Sequence, residues 1–155
     1  MSEPYEEIVE GETCLRMPPG GRHELICSRL HELITTSLAD ISTTRLLPRR
    51  SVVQLSAGTI VRPDIALVTT ATGKFWLVAE IISSDDHRPD TVLKKQIYEE
   101  LNIPRLWMID PRYDNVEIYH GSEYGLALRH ILANREVLTE AALPNFEVAM
   151  SALFG

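Results

Sequence analysis

The sequence predicts an α+β fold, α/β-like in character, with a mixed central β-sheet flanked by helices. Apolar residues recur at the 3.6-residue period over about 23–38 and 90–101, and this spacing predicts two helices. Two nearly continuous apolar runs, at 75–82 and 105–110, predict strands that are buried on both faces. Alternating polarity around a Gly-Ser turn predicts a hairpin over 115–132. Helices and buried strands in this order favour a sheet with helices packed on it.

Shorter elements are predicted near both ends of the chain and before the first apolar run. An N-terminal hairpin is expected over about 6–17. A strand at 52–55 precedes a longer strand at 59–68. Within that longer strand, Pro63 predicts an edge position or a bulge, because proline cannot donate a hydrogen bond to a strand ladder. The tail at 138–154 is expected to include a short apolar helix that docks on the sheet.

Composition predicts a single globular domain over residues 1–155, since 45% of the residues are apolar and 24% are charged. No apolar run approaches the roughly 20 residues of a membrane-spanning helix. The acidic segment 1–7 lacks the basic start of a secretory signal, so we expect a cytoplasmic location and no membrane partner. Cys14 and Cys27 lack the spacing of a metal site and are expected to stay reduced.

The formal net charge of -7 argues against a surface built for general nucleic-acid coating. A local basic patch remains compatible with that charge. Arg45, Arg49 and Arg50 form the densest basic group in the sequence. Two interpretations of this group are open: an exposed loop, or a contact to a phosphate.

Two carboxylates stand inside apolar strands and are the strongest functional signal. Asp64 follows Val61-Arg62-Pro63, and Glu80 lies within the run 75–82. A buried carboxylate costs several kcal/mol unless it is paired or bound to a metal. Two of them on neighbouring strands predict a site for a divalent cation such as Mg²⁺. The alternative is that each one lies at a strand end and accepts hydrogen bonds from backbone amides.

Two further side chains are candidates for this site. Lys94, on the second predicted helix, is placed to orient a water molecule or to stabilise negative charge. Asp90, Lys94 and Tyr98 are spaced by four residues and therefore share one side of that helix. An exposed Lys94 that pairs with Asp90 is the alternative. His23 falls in the first turn of the first helix, where an imidazole is commonly exposed or capping.

Several of these motifs, in this order, resemble the PD-(D/E)XK nuclease superfamily and, more narrowly, its bacterial Uma-type restriction endonuclease family. The resemblance covers nearly the whole chain, and the ordered set is more specific than any single motif. The matching segments are 7–12, Pro18-Pro19 with His23, 61–65, 78–83, the helix positions Asp90, Lys94 and Tyr98, and 103–111.

The sequence departs from the family patterns at two positions. The superfamily lysine would stand two residues after the second acid, where this chain has Ile82. The Uma-type family that the sequence resembles also lacks that lysine, and Lys94 is its expected replacement. Ser84 stands where the family usually has proline, which puts only the local loop shape in doubt.

The resemblance implies a restriction-endonuclease-like fold and hydrolysis of DNA phosphodiester bonds that depends on Mg²⁺ or Mn²⁺. Asp64, Glu80 and the backbone carbonyl of Ile81 would bind the metal, and Lys94 would be the catalytic lysine. Glu7 and His23 are accessory candidates. DNA is the expected partner, and a homodimer is the expected assembly.

A rival interpretation assigns the same fold to a non-catalytic binding or dimerisation module. The net charge of -7 and the lack of a long basic stripe support it. Trp107 and the apolar C-terminal residues could form a dimer contact, although such residues are more often core. A nucleophilic hydrolase is disfavoured because no Gly-x-Ser-x-Gly motif is present.

Overall fold

The computed structural model describes residues 3–18, 20–82 and 88–155, with the backbone alone for 88–90. Within these residues twelve strands and three helices follow one another along the chain. The strands are β1 (Tyr5–Val9), β2 (Glu12–Arg16), β3 (Thr44–Leu46), β4 (Val53–Ser56), β5 (Thr59–Val61), β6 (Ile65–Thr69), β7 (Phe75–Ile81), β8 (Arg105–Asp110), β9 (Asn115–Ser122), β10 (Gly125–Ala133), β11 (Val137–Thr139) and β12 (Glu147–Ala149). The helices are α1 (Gly21–Ser37), α2 (Arg88–Glu100) and α3 (Met150–Phe154).

A six-stranded sheet, ordered β10-β9-β8-β7-β6-β3, forms the centre of the fold. β7 and β8 are parallel because α2 carries the chain back between them, whereas the other described neighbours in this sheet are antiparallel. The predicted mixed central sheet is therefore confirmed. A second sheet, ordered β2-β1-β5-β4, and the short pair β11-β12 complete the strands described.

Helices pack on both faces of the central sheet. On one face, Ile26, Leu30 and Ile34 of α1 belong to a buried apolar cluster that includes Leu67 and Ile109 of the sheet. These α1 residues are spaced by four, so they project from one side of the helix. On the other face, Tyr98 of α2 joins a second cluster with Val78, Leu106 and Met108. This layering leaves polar side chains near the ends of the strands between α1 and α2.

The predicted single strand at 59–68 is wrong, because the chain forms two strands that belong to different sheets. β5 ends at Val61 and pairs with β1 and β4, whereas β6 begins at Ile65 and pairs with β3 and β7. Pro63 lies between them and has no N–H for a ladder. Its carbonyl instead accepts a hydrogen bond of 3.1 Å from the backbone N–H of Arg50. The break places Asp64 at the start of β6.

Other expectations are confirmed or corrected locally. The N-terminal hairpin has its turn at Glu10-Gly11, where both residues have positive φ angles, as this tight turn type requires.

Trp107 lies in the core and stacks on Phe146 with ring centroids 5.8 Å apart, which contradicts a role as an exposed dimer contact. The departure at Ser84 lies outside the described residues. Across 3–18, 20–82 and 88–155, no helix has the length and apolar character needed to cross a membrane.

Candidate active site

Asp64 lies at a bend directly before β6 and faces the end of β7. The register places Ile65 opposite Ala79, so the Asp64 carboxylate reaches the backbone of the residues that follow. Its Oδ2 atom accepts a hydrogen bond of 2.8 Å from the Ile81 N–H, and its Oδ1 atom lies 3.0 Å from Nη1 of Arg50. The carboxylate is buried. It is therefore held by one backbone amide, as the strand-end alternative expected, and also by a cation.

Glu80 projects from β7 toward α2 and is also buried. The Tyr98 hydroxyl donates a hydrogen bond of 2.6 Å to its Oε1 atom, and Nζ of Lys94 lies 3.5 Å from Oε2. The pKa of Glu80 is raised to about 8, chiefly by burial, because Lys94 only partly opposes that burial and the charges of Asp64 and Glu7 add to it. Additional positive charge beside this carboxylate would therefore favour its ionised form.

Lys94 reaches the site from α2 and lies between two carboxylates. Its Nζ atom is 3.0 Å from Oε1 of Glu7 and 3.5 Å from Oε2 of Glu80. Burial alone would lower the pKa of Lys94, but the two negative charges outweigh it and raise that pKa. The alternative of an exposed Lys94 is wrong, because the side chain is buried. The side chain of Asp90 lies outside the described residues.

Glu7 comes from β1, in the second sheet, and is fully buried. Its Oε1 atom lies 2.8 Å from Nε of Arg16, and its Oε2 atom accepts a hydrogen bond of 2.7 Å from the Arg62 N–H. Burial would raise the pKa of Glu7, but Lys94 and the Arg62 amide outweigh that effect and lower it. Glu7 is thus an anchor for Lys94 and ties β1 of the second sheet to α2.

His23 lies on α1 and is buried beside the end of β7, so its expected exposed or capping position is wrong. Its Nε2 atom lies 2.9 Å from the Ile81 carbonyl oxygen and 3.7 Å from Oδ2 of Asp64. Because a carbonyl only accepts, Nε2 carries the proton in this contact. His23 therefore contacts the backbone carbonyl that the family resemblance implies as a metal ligand.

The five candidate side chains come from β1, α1, the start of β6, β7 and α2. Contacts of His23 and Asp64 with Ile81, and of Lys94 with Glu7 and Glu80, bring them together near the end of β7. In the described part of the chain, no group of three or more His, Cys, Asp or Glu side chains has the spacing of a metal site. A cation here would need both carboxylates and a backbone oxygen. Ile82, at the position of the superfamily lysine, is buried in the α2-side apolar cluster.

The sequence matches the model of the Uma2 family, described as "Putative restriction endonuclease", over residues 2–151. The chain belongs to the Uma2 family. Among solved structures, this Uma2 chain is similar to the crystal structure of a putative nuclease belonging to DUF820 from Anabaena variabilis ATCC 29413. The two share 17% sequence identity with a TM-score of 0.81, over 98% of this chain and 90% of that chain. This likeness confirms the restriction-endonuclease-like fold. No curated protein matches the sequence.

Sequence reasoning missed charged residues of this Uma2 site, among them Arg50 and Glu24. Arg50 stood in a basic group interpreted as an exposed loop or a phosphate contact, yet its side chain is only 2% exposed. Its guanidinium pairs with both Asp64 and Glu24. The pattern Arg49-Arg50 carries no signal that separates a buried arginine from an exposed one, because burial here depends on carboxylates distant in sequence.

Proposed function

We propose that this Uma2 protein is a DNA endonuclease that hydrolyses phosphodiester bonds with the help of Mg²⁺ or Mn²⁺. The observation that carries the proposal is that Asp64 accepts a hydrogen bond from the Ile81 N–H, next to Glu80, while Nζ of Lys94 lies 3.5 Å from Glu80 and all three side chains are buried. Two carboxylates can hold a divalent cation, and a lysine beside them can stabilise negative charge that develops on a phosphoryl group. Family membership supports nuclease chemistry in general.

The proposed metal ligands are the carboxylates of Asp64 and Glu80 and the carbonyl of Ile81. This donor set fits a hard divalent cation, since all of its atoms are oxygens. The raised pKa of Glu80, about 8, also fits, because a cation would offset the cost of ionising a buried carboxyl. Such an ion, when bound, polarises a phosphoryl oxygen and lowers the pKa of a bound water molecule.

The remaining residues would hold these ligands and stabilise charge. Lys94 would donate a hydrogen bond to a non-bridging phosphate oxygen or orient the attacking water. Glu7 fixes the Lys94 ammonium through the 3.0 Å contact, so the lysine stays charged near the scissile bond. Tyr98 fixes one oxygen of Glu80, and His23 contacts the Ile81 carbonyl. Each of these contacts limits the orientation of a catalytic group before substrate arrives.

Calorimetric titration of Mn²⁺ and Mg²⁺ tests the site directly. The wild type should bind, and a folded Asp64→Ala/Glu80→Ala variant should not. Cleavage of plasmid DNA should follow metal binding and should be lost in the double variant. Absence of metal binding up to millimolar concentrations would contradict the proposal.

A non-catalytic binding or dimerisation module that retains the nuclease fold is the second candidate. Protein cations already lie beside both acids, with Arg50 at Asp64 and Lys94 at Glu80. The net charge of -7 also opposes binding of DNA, because the DNA backbone is negatively charged as well. On this alternative, the wild type and the double variant would behave alike in the metal titration, and neither would cleave DNA.

The proposal has four further parts. They are DNA as the partner, a homodimeric assembly, a single domain over 1–155 and a cytoplasmic location. Both apolar clusters pack on the same central sheet, which supports a single domain. β10 is an edge strand on which Leu128 and Ile131 are about half exposed. This exposed edge supports a contact between two subunits of the homodimer at β10. Sedimentation velocity of the wild type and of Ile131→Glu tests the dimer, since loss of the dimer in the variant alone would locate its interface.

A further inference from the structure

Arg50 links the candidate metal ligand Asp64 to a second carboxylate that has no role in the proposed chemistry. Nη1 lies 3.0 Å from Oδ1 of Asp64, and Nη2 pairs with Oε1 of Glu24 on α1. The Arg50 side chain is 2% exposed, and the Glu24 side chain is 20% exposed. One buried guanidinium is thus shared by two carboxylates, of which Asp64 is buried and Glu24 is partly exposed.

The backbone around Arg50 fixes this arrangement to the segment that carries Asp64. The Arg50 N–H donates to the Pro63 carbonyl, and the Arg50 carbonyl accepts from Nε of Arg62 at 2.9 Å. Arg50 has a φ angle of 55°, which most residues with a side chain rarely adopt. The guanidinium is therefore held in place while its two partners come from separate elements.

A cation at Asp64 would compete with Arg50 for the same carboxylate. If Asp64 were the sole partner of Arg50, coordination of a metal would leave a buried guanidinium without a counter-ion, which is strongly unfavourable. Glu24 removes that problem because it pairs with the other nitrogen of Arg50. The charge of the buried Arg50 is still balanced by Glu24 when the Asp64 carboxylate coordinates the metal.

We infer that Arg50 is a positioning residue for Asp64 and that Glu24 is the reserve counter-ion of Arg50, so that Glu24 influences the cation affinity of the Asp64 site through Arg50. The inference rests on the proposed function, in which Asp64 binds a divalent cation. Glu24 acts on Asp64 through the guanidinium that the two acids share, and its Oε1 atom also lies 3.8 Å from Nδ1 of His23. The shared guanidinium makes the effects of Glu24 and Arg50 on cation affinity interdependent.

Titration of Mn²⁺ into four proteins tests the inference: wild type, Glu24→Gln, Arg50→Gln and the double variant. In the wild-type background, Glu24→Gln should weaken Mn²⁺ binding by about tenfold, a coupling typical of charged neighbours in one network. In the Arg50→Gln background the same change should alter affinity by less than about twofold. Equal effects in both backgrounds would mean that Glu24 acts by its general field or binds the metal itself, and would overturn the inference.

Glu32→Gln on the exposed surface of the same helix is the matched control. It removes an identical charge two turns away and should leave Mn²⁺ affinity within about twofold. If Arg50→Gln fails to fold, this comparison decides: an equal loss in Glu24→Gln and Glu32→Gln overturns the inference, and a loss in Glu24→Gln alone supports it. A wild type that binds no Mn²⁺ would overturn both this inference and the proposed function, whereas additive effects in a metal-binding wild type would overturn this inference alone.

Discussion

Nζ of Lys94 lies 3.0 Å from Oε1 of Glu7, so a helix packed on the central sheet is tied to a strand of the other sheet. The contact is buried, and the same ammonium lies 3.5 Å from Glu80. Because a buried lysine stays charged only beside negative groups, the position of α2 and the chemistry of the site depend on one another. Replacement of Lys94 should therefore affect both.

Lys94→Ala should reduce DNA cleavage by about 10²- to 10³-fold, the usual cost of removing one donor that stabilises developing charge. Metal binding should persist, because Asp64 and Glu80 remain. The unfolding free energy should fall by about 3–5 kcal/mol, since Glu7 and Glu80 lose a buried partner. Single-turnover cleavage and urea unfolding measure the two effects separately.

Lys95→Ala provides the control for the lysine substitution. Lys95 is the next residue on α2, and its Nζ atom lies 4.9 Å from the centre of the Tyr119 ring, away from the carboxylates. Its removal should leave cleavage unchanged. Equal loss of cleavage in both variants would indicate a general contribution of helix charge and would contradict a specific role for Lys94.

Glu80 should make the metal-free protein less stable as pH rises. Its pKa is raised from an ordinary 4.5 to about 8, so between these values the folded chain holds a proton that the unfolded chain releases. The unfolding free energy contributed by Glu80 therefore decreases from about pH 5 to pH 8, on the order of 3–5 kcal/mol in total. Urea unfolding of the wild type and of Glu80→Gln at several pH values measures this effect. The unfolding free energy should fall across this pH range in the wild type and not in Glu80→Gln.

Glu100→Gln, an exposed position on α2, should retain the wild-type pH slope. Addition of Mn²⁺ should flatten the slope in the wild type, because a bound cation favours the ionised Glu80. An identical pH dependence in wild type and Glu80→Gln would mean that Glu80 is already ionised at low pH through Lys94.

Tyr98→Phe removes the hydroxyl that donates to Glu80 over 2.6 Å. The ring remains in the apolar cluster, so the loss isolates one buried hydrogen bond and should cost about 1–3 kcal/mol of unfolding free energy. Tyr124→Phe serves as the comparison, because Tyr124 is 91% exposed and should change stability by less than about 0.5 kcal/mol. Equal stability of the Tyr98→Phe and wild-type proteins would show that Glu80 finds another donor.

The parts of the fold that follow from local patterns could be predicted from the sequence. β7 and β8 were evident as apolar runs, and the period of the α2 residues placed Lys94 and Tyr98 on one side. Asp64 and Glu80 stand out because each interrupts a run of apolar residues in the sequence. These signals reside in neighbouring residues, so no knowledge of the tertiary fold was needed.

Other features depend on contacts between distant segments and left no local signal. β3 and β11 contain three residues each, and their pairing is decided by the strands beside them. The division at Pro63 required knowledge that the two halves belong to different sheets. Arg50 is buried only because Glu24 and Asp64 neutralise it, and a charged residue is otherwise expected at the surface.

Trp107→Ala should lower the unfolding free energy by about 3–5 kcal/mol, since the side chain is buried and stacks on Phe146 at an angle of 17°. Truncation leaves a cavity between β8 and the segment before β12 that neighbouring side chains cannot fill. Tyr113→Ala, at a 69% exposed position, removes a large ring without a cavity and should cost little. Urea unfolding at several protein concentrations measures both. A Trp107→Ala effect that grows with protein concentration would instead place this ring at a subunit contact and would contradict its assignment to the core of the monomer.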